Sequence, residues 1–423
     1  MRRNFLFLAI IILAAISCGG NKTTSTTTVK ASDLLCTVPS RSLAVMHFNN
    51  TGKALEILLD STSVFRSIDY GELAESEMVL SYDYGAALIP LLAISTGKTS
   101  ADTLEAVKQV LEQLPALKLK GYYYNDTLVK HSALLISPSQ AAITEAESHI
   151  GAETSVLEAP DFEKAVALAK GSAGTVYLRN TSASRWVPKT LLQQFVPRKK
   201  LVNFVTNAAE WMVANFHSYK TEDIDIQTIA ENQRYFMKVL ESCSGADSHI
   251  KEVLPASTDW MVDLPLKDWK AYYDAYSLFL DTNSILTAHE NALRSAKNKY
   301  GKNPLDWAKE LNPKEIALVH WDGRQVLLLN VPKAKIPQSI TENPHPGYTG
   351  LLFGGVFALE DESSCANLGS WLVVGAGEDV AEFALCEEKA EDVDLPSKDC
   401  KFAVYTPEAL MFGKGSGIEL NMY

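Results

Sequence analysis

Two stretches constrain the fold of this chain more than any other feature. They are Thr37-Val38-Pro39-Ser40-Arg41-Ser42-Leu43-Ala44-Val45-Met46 and Val253-Leu254-Pro255-Ala256-Ser257-Thr258-Asp259-Trp260-Met261-Val262. Each reads as a strand entered through a proline turn, and each opens a unit with the same later order of elements. Pro255 follows Pro39 by 216 positions, while Ile316 follows Met78, and Trp371 follows Ala133, by 238. The difference of 22 fits inside the longer Leu278–Lys299 helical stretch, and Val404-Tyr405 then matches Val176-Tyr177 at 228. The reading predicts an α+β fold of two repeated units, 36–252 and 253–423. Each is a mixed or antiparallel sheet with helices on one face. About 75 residues follow Val176-Tyr177 in the first unit, but only Thr406–Tyr423 remain at that point in the second. The second unit therefore reads as incomplete, either a shortened variant or a truncated form of a longer protein.

The local signals agree with this plan. Leu43 and Val45 alternate on one face of a strand, and Asn50-Thr51-Gly52 turns into a helix. Two hairpins are predicted, across Asp83-Tyr84-Gly85 and Trp321-Asp322-Gly323, because glycine supplies positive φ cheaply. Strands are expected at Leu119–Tyr124, Ser132–Ile136, Gly174–Leu178 and Ile224–Ile229, with an exposed-edge strand in Asn207–Tyr219. Gly354–Leu359 and Ser370–Val374 read as a further pair. Helices are expected around Leu104–Leu114, Gln140–His149, Leu191–Phe195, Glu231–Ser242, Leu266–Lys299 and Asp379–Leu385.

The N-terminus carries an address. Arg2 and Arg3 precede an apolar run, Phe5–Ile16, too short for an ordinary membrane span. Ala15-Ile16-Ser17-Cys18-Gly19 resembles the lipobox of bacterial lipoproteins. The resemblance implies a signal peptide over 1–17, cleavage before Cys18, and acylation (palmitate and related chains) of its thiol and new amino group. Each buried methylene then adds about 0.8 kcal/mol to the anchor. A polar tether, 18–35, follows, with the low-complexity run Thr23-Thr24-Ser25-Thr26-Thr27-Thr28. Gly19 rather than aspartate after the cysteine favours the outer membrane, and the lack of an acidic cluster there favours its periplasmic side.

Charge narrows the partners. The net charge of −12 opposes binding to a phosphate backbone, so no nucleic acid is expected. The acidic run Glu387–Asp399 reads as a solvated loop. Cys36, Cys243, Cys365, Cys386 and Cys400 match no zinc spacing; Cys386 and Cys400 flank the acidic loop and could close it, or all could be buried thiols. The stripe Trp269, Tyr272, Tyr273 and Tyr276 reads as core, with a carbohydrate-stacking face as the alternative.

Ser95-Thr96-Gly97-Lys98-Thr99 has the end of a phosphate loop, but Leu92 stands where the first glycine is needed. Ser95 and Lys98 also fit Ser-x-x-Lys, without the companion motifs of penicillin-recognising enzymes. Gly375-Ala376-Gly377 lacks the third glycine of a dinucleotide fingerprint. His47 and His320 fall on strands and His345 in a loop, and none pairs at ligand spacing. The sequence thus nominates no catalytic residue, no metal ligand and no cofactor.

The proline-started repeat, Trp321-Asp322-Gly323-Arg324-Gln325-Val326 and Ser370-Trp371-Leu372-Val373-Val374-Gly375 together resemble large envelope lipoproteins of Bacteroidota type with a duplicated domain of unknown function. That resemblance implies a lipid-anchored envelope protein that binds or scaffolds a protein or glycan partner. The alternatives are an envelope hydrolase with a non-standard site, or a fragment of a longer lipoprotein.

Overall fold

The computed structural model describes residues 33–84, 88–97, 100–125, 132–152, 154–182, 206–220, 224–243, 246–331, 348–354, 357–359, 361–390, 393, 400–407, 409–414 and 417–422. The signal segment, Cys18, tether residues 19–32, Leu191–Phe195 and the His345 loop lie outside the described residues, as does most of the acidic run. The end of the expected tether is corrected, because Leu34 and Leu35 are buried in the core within the short Asp33–Thr37 helix. No described helix is long and apolar enough to cross a membrane.

The chain forms two compact units. In the first, the strands are β1 (Ala44–Phe48), β2 (Met78–Tyr84), β3 (Leu88–Ser95), β4 (Lys120–Tyr124), β5 (Ala133–Ser137), β6 (Gly174–Arg179), β7 (Trp211–Phe216) and β8 (Ile224–Ile229). They lie in the order β4-β5-β3-β2-β1-β6-β7-β8, and all of their pairings are antiparallel. The second unit holds β9 (Thr258–Pro265), β10 (Glu315–Trp321), β11 (Arg324–Asn330), β12 (Ser364–Leu368), β13 (Trp371–Gly375), β14 (Cys400–Thr406), β15 (Ala409–Lys414) and β16 (Gly417–Met422). Their order is β12-β13-β11-β10-β9-β14-β15-β16, again antiparallel throughout. The two orders are the same list of positions, so the α+β architecture of two like sheets stands.

The register repeats as well. Met46 pairs with Leu80 and Val176, and Val262 pairs with Leu318 and Val404. These partners are separated by 216, 238 and 228 positions, the offsets read from the sequence. The proline turns coincide: Pro39 bridges Ser155 and Pro255 bridges Lys389. Ser42 N donates to Pro39 O at 3.0 Å, and Thr258 N to Pro255 O at 3.2 Å. The expected incompleteness of the second unit is corrected: the stretch from β14 to β16 is shorter than that from β6 to β8, but the shortening lies in connections rather than in strands. Ala409–Lys414 and Gly417–Met422 follow β14 through tight turns and stand where β7 and β8 stand in the first unit.

Several local expectations need correction. In the first unit, helices flank both faces of the sheet rather than one. A Cβ on Gly121 of β4 would meet Leu114 and Leu111 at 2.4 and 2.5 Å, beside the Ala101–Gln113 helix. The next residue, Tyr122, turns to the opposite face and donates to Glu147 Oε1 of the Gln140–Ala152 helix at 3.1 Å. This is why β5 reads as an unbroken apolar run: all five of its residues are buried. β7 is not an edge either, since it lies between β6 and β8 with all six residues buried. Leu266–Lys299 is two helices, Trp269–Thr282 and Leu286–Tyr300, interrupted where Ser284 takes φ +60°. Gly354–Leu359 is not a strand; Gly354, at φ +93°, follows the Tyr348–Phe353 helix, and the partner of β13 is β12. The Phe236–Cys243 helix lies in the second compact unit, its Phe236 ring 5.7 Å from Phe279.

Other expectations match the observed geometry. The turn between β10 and β11 has Asp322 at φ +46° and Gly323 at +75°, the positive pair a two-residue hairpin needs. Asn50 caps its helix through Lys53 N at 2.9 Å.

Each sheet buries a like core on the face that carries Val45 or Met261. In the first unit Val45, Val79, Leu135, Ile143 and Ala146 meet Phe162, Tyr177 and Trp211. In the second, Met261, Ala317, Val373, Val380 and Phe383 meet Trp321 and Trp371. Bulk changes place between them. Ala133 and Ala146 are small where Trp371 and Phe383 are large, and Phe162 packs 5.0 Å from Trp211 to fill the first core. Close packing also fixes Gly174, whose added Cβ would lie 2.2 Å from the Phe48 ring and 2.6 Å from His47 O. Gly174→Ala is expected to destabilise by roughly 1–3 kcal/mol through forced separation of β1 and β6, read as a lower urea midpoint. An unchanged midpoint would remove this account of the β1–β6 contact.

Candidate functional site

The repeat places titratable side chains at one pair of equivalent positions in each unit. His47 on β1 and Glu77 beside β2 occupy it in the first. Shifted by 216 and 238 positions, the same places hold Asp263 on β9 and Glu315 on β10. Polar groups in otherwise apolar strands at matched positions are unusual, because burial penalises them unless they are paired.

In the second unit the pair is sealed. Asp263 and Glu315 are both 0% exposed. The cross-strand neighbours of Asp263 are Ala317 and Ala403, whose small side chains leave room for a carboxyl. The segment ahead of β9 covers the pair. Ser248 Oγ lies 2.8 Å from Asp263 Oδ2 and 3.0 Å from Glu315 Oε1. The backbone N–H groups of His249 and Ile250 donate to Glu315 at 2.9 and 3.0 Å, which satisfies the start of the short Ile250–Glu252 helix. Cys400 N donates to Ala246 O at 3.1 Å and ties the same segment to β14.

Burial sets the electrostatics. Loss of water pushes the Asp263 carboxyl up to about 7, against smaller downward pulls from Ser248 and Glu315. Glu315 is pushed well above the usual carboxylate range, first by burial and then by the charge of Asp263, while the His249 N–H opposes. The Cys400 thiol is raised by burial and then by both carboxyls. A proton shared by the pair would close a hydrogen bond between the two carboxyls. Without it, Asp263 Oδ1 is buried and lacks a donor among the described residues.

The equivalent pair of the first unit is open. His47 Nε2 lies 2.6 Å from Glu77 Oε1, and the two side chains are 21% and 34% exposed. A polar row continues across the sheet, because His47 pairs with Thr175, Thr175 with Asn215, and Asn215 with Asp225. Asn215, fully buried, is its hub. Its Oδ1 accepts from Lys170 N at 2.8 Å, Gly171 N at 3.2 Å and Thr175 Oγ1 at 3.1 Å. Its Nδ2 donates to Leu168 O and to Asp225 Oδ2, both at 3.1 Å. Asp225 in turn pairs with His217. The row therefore presents two histidine–carboxylate pairs, each partly open to water, braced by one buried amide. Such pairs can exchange hydrogen bonds with a ligand.

The residues singled out from sequence fall elsewhere. Ser95 Oγ accepts from Gly97 N at 3.4 Å, and Ser100 caps the next helix through Thr103 N at 3.1 Å; Lys98 and Thr99 lie outside the described residues. Gly375 ends β13 and Gly377 starts the Gly377–Leu385 helix, a strand-to-helix turn. His320 Nδ1 lies 2.9 Å from Asp259 Oδ2, and its ring stacks on Trp260. The aromatic stripe is core: Trp269, Tyr272 and Tyr276 are buried, and Tyr272 donates to Phe353 O at 2.7 Å, which leaves no stacking face for a sugar on those three rings. Cys386 and Cys400 are not joined in a disulfide, so they do not close the acidic loop. Among the described residues no three His, Cys, Asp or Glu side chains are placed to hold a metal ion.

Sequence reasoning passed over Glu77, Asp263 and Glu315. The signal that finds them is the repeat itself, since the two offsets carry His47 onto Asp263 and Glu77 onto Glu315. No protein-family model matches the chain, and neither a curated protein nor a solved structure matches it.

Proposed function

We propose that the chain is a lipid-anchored protein of the cell envelope that acts by binding or scaffolding, held at the periplasmic side of the outer membrane through acyl chains on Cys18. The observation that carries the reading is the order, in the sequence, of Arg2-Arg3, apolar Phe5–Ile16, Cys18-Gly19 and a polar threonine-rich run. Two like sheet units in one chain suit a role that presents surfaces to an envelope protein or glycan. The partly open His47–Glu77 pair supplies hydrogen-bonding groups for such a partner.

The test uses the full chain in its host envelope. The unaltered protein is expected in the outer-membrane fraction and to take up an alkyne-tagged fatty acid. Cys18→Ala is expected to lose the label and leave that fraction. Labelling that persists in Cys18→Ala would overturn the anchor. Binding is tested by capture of envelope proteins and glycans on the full chain. Reproducible turnover of an envelope polymer, lost in His47→Ala, would replace the binding reading with the hydrolase one.

A further inference from the structure

The contacts around Asp263 and Glu315 raise a counting problem. Ser248 has one hydroxyl proton, yet its Oγ lies within hydrogen-bond distance of both carboxyls. It donates to one and can meet the other only as an acceptor, so one carboxyl must bring a proton of its own. Asp263 Oδ1 makes the same demand, because it is buried without a donor unless the pair is protonated. Both side chains are wholly out of water, where two adjacent negative charges cannot be sustained. What excludes water above them is the segment from Ala246 to Glu252.

We propose that Asp263 and Glu315 form a proton-operated latch. The segment 246–252 is held on the second sheet while the pair shares a proton, and it lifts when that proton is lost, admitting water to the carboxylates and to Cys400. Among the described residues the charges facing the latch are few. They are the two carboxyls themselves and, from β14, the Cys400 thiol. The segment's own Asp247 and His249 side chains are exposed, and His249 pairs with Glu252 at 3.3 Å. Lys314 beside β10 reaches Lys267 O at 3.3 Å instead. The first unit has the same two positions but an open pair, where a histidine serves as the second group and no proton need be shared between carboxylates. The release therefore belongs to the second unit alone and is driven by alkali, not by acid.

Hydrogen exchange on the full chain tests this at the amides of His249 and Ile250, which the latch holds directly. Their protection factors, corrected for intrinsic exchange, are expected to fall at least roughly tenfold between about pH 6 and about pH 9. In Asp263→Asn, whose amide donates to Glu315 without a titrating proton, the two values are expected to agree within about twofold. A fall of the same size in the variant would overturn the proposal. A measurement on the unaltered chain guards against a variant that does not fold. The infrared absorption of a buried protonated carboxyl should be present at about pH 6 and vanish together with the protection. Its absence at the lower pH, or its loss without change in exchange at these amides, would also overturn the latch.

Discussion

Replacement of Glu315 by alanine is expected to cost about 3–5 kcal/mol, the range for breaking one member of a buried charged network. The carboxyl accepts from Ser248 Oγ, His249 N and Ile250 N, all between 2.9 and 3.0 Å. Alanine removes the acceptor for each, and Ile250 is fully buried, so water cannot stand in without disrupting the segment. Glu315→Gln keeps the acceptor oxygen and adds a donor aimed at Asp263, so it should cost far less. The same pair sets a pH dependence whose sign is fixed. The pair retains its shared proton in the folded chain at pH values where the unfolded carboxyls have lost theirs. Unfolding therefore releases protons, and stability falls as pH rises through the window from about 4 to about 7. The slope is at most about 1.4 kcal/mol per pH unit for each retained proton. Chemical denaturation at a series of pH values measures both effects. If Glu315→Ala and Glu315→Gln lose the same stability, the missing acceptor is not the cause.

The strand plan was legible because each strand is short, apolar and bounded by a turn with its own chemistry, and because the plan is written twice. The three offsets could be taken from Pro39, Met78 and Val176 onward without any knowledge of pairing, and the ladders keep them. Propensity failed where tertiary contacts decide. Ser364-Cys365-Ala366-Asn367-Leu368 has little strand character, yet it is the edge partner of β13. The break at Asn283-Ser284 lies in a stretch whose apolar spacing continues on both sides, so period alone joins the two helices. Helices on both faces of the first sheet were hidden for a related reason: a fully buried strand and a half-buried one differ only in the polar half of the alternation. The paired groups were illegible one at a time. Asp263 is buried because residues 246–250 lie over it, and that contact joins positions 15 apart in one case and 67 apart in another. Only comparison of the two units lifts these residues out of the background of ordinary charged side chains.

Asn215→Ala should be the most damaging single change in the first unit. The amide is fully buried and joins the backbone at Leu168, Lys170 and Gly171 to the side chains of Thr175 and Asp225. Alanine leaves two buried N–H groups, a hydroxyl and a carbonyl without that partner, each costing about 1–3 kcal/mol unless water replaces it. Partial rescue by water brings the expected loss to about 3–5 kcal/mol. Asn215→Asp separates hydrogen bonding from shape. It keeps the acceptor for Lys170 and Gly171 but turns a donor to Leu168 O into a second acceptor, and it sets a new carboxylate against Asp225. Its loss should therefore exceed a purely steric expectation. The loop from Leu168 to Ser172 carries the consequence to the open pairs, since Ser172 Oγ donates to His217 O and Ser172 O accepts from Asn49 Nδ2, two residues beyond His47. Loss of the hub should loosen both histidine–carboxylate pairs together, seen as joint shifts of the His47 and His217 ring resonances. A stability loss with only one ring affected would mean that the polar row is two separate features rather than one braced site.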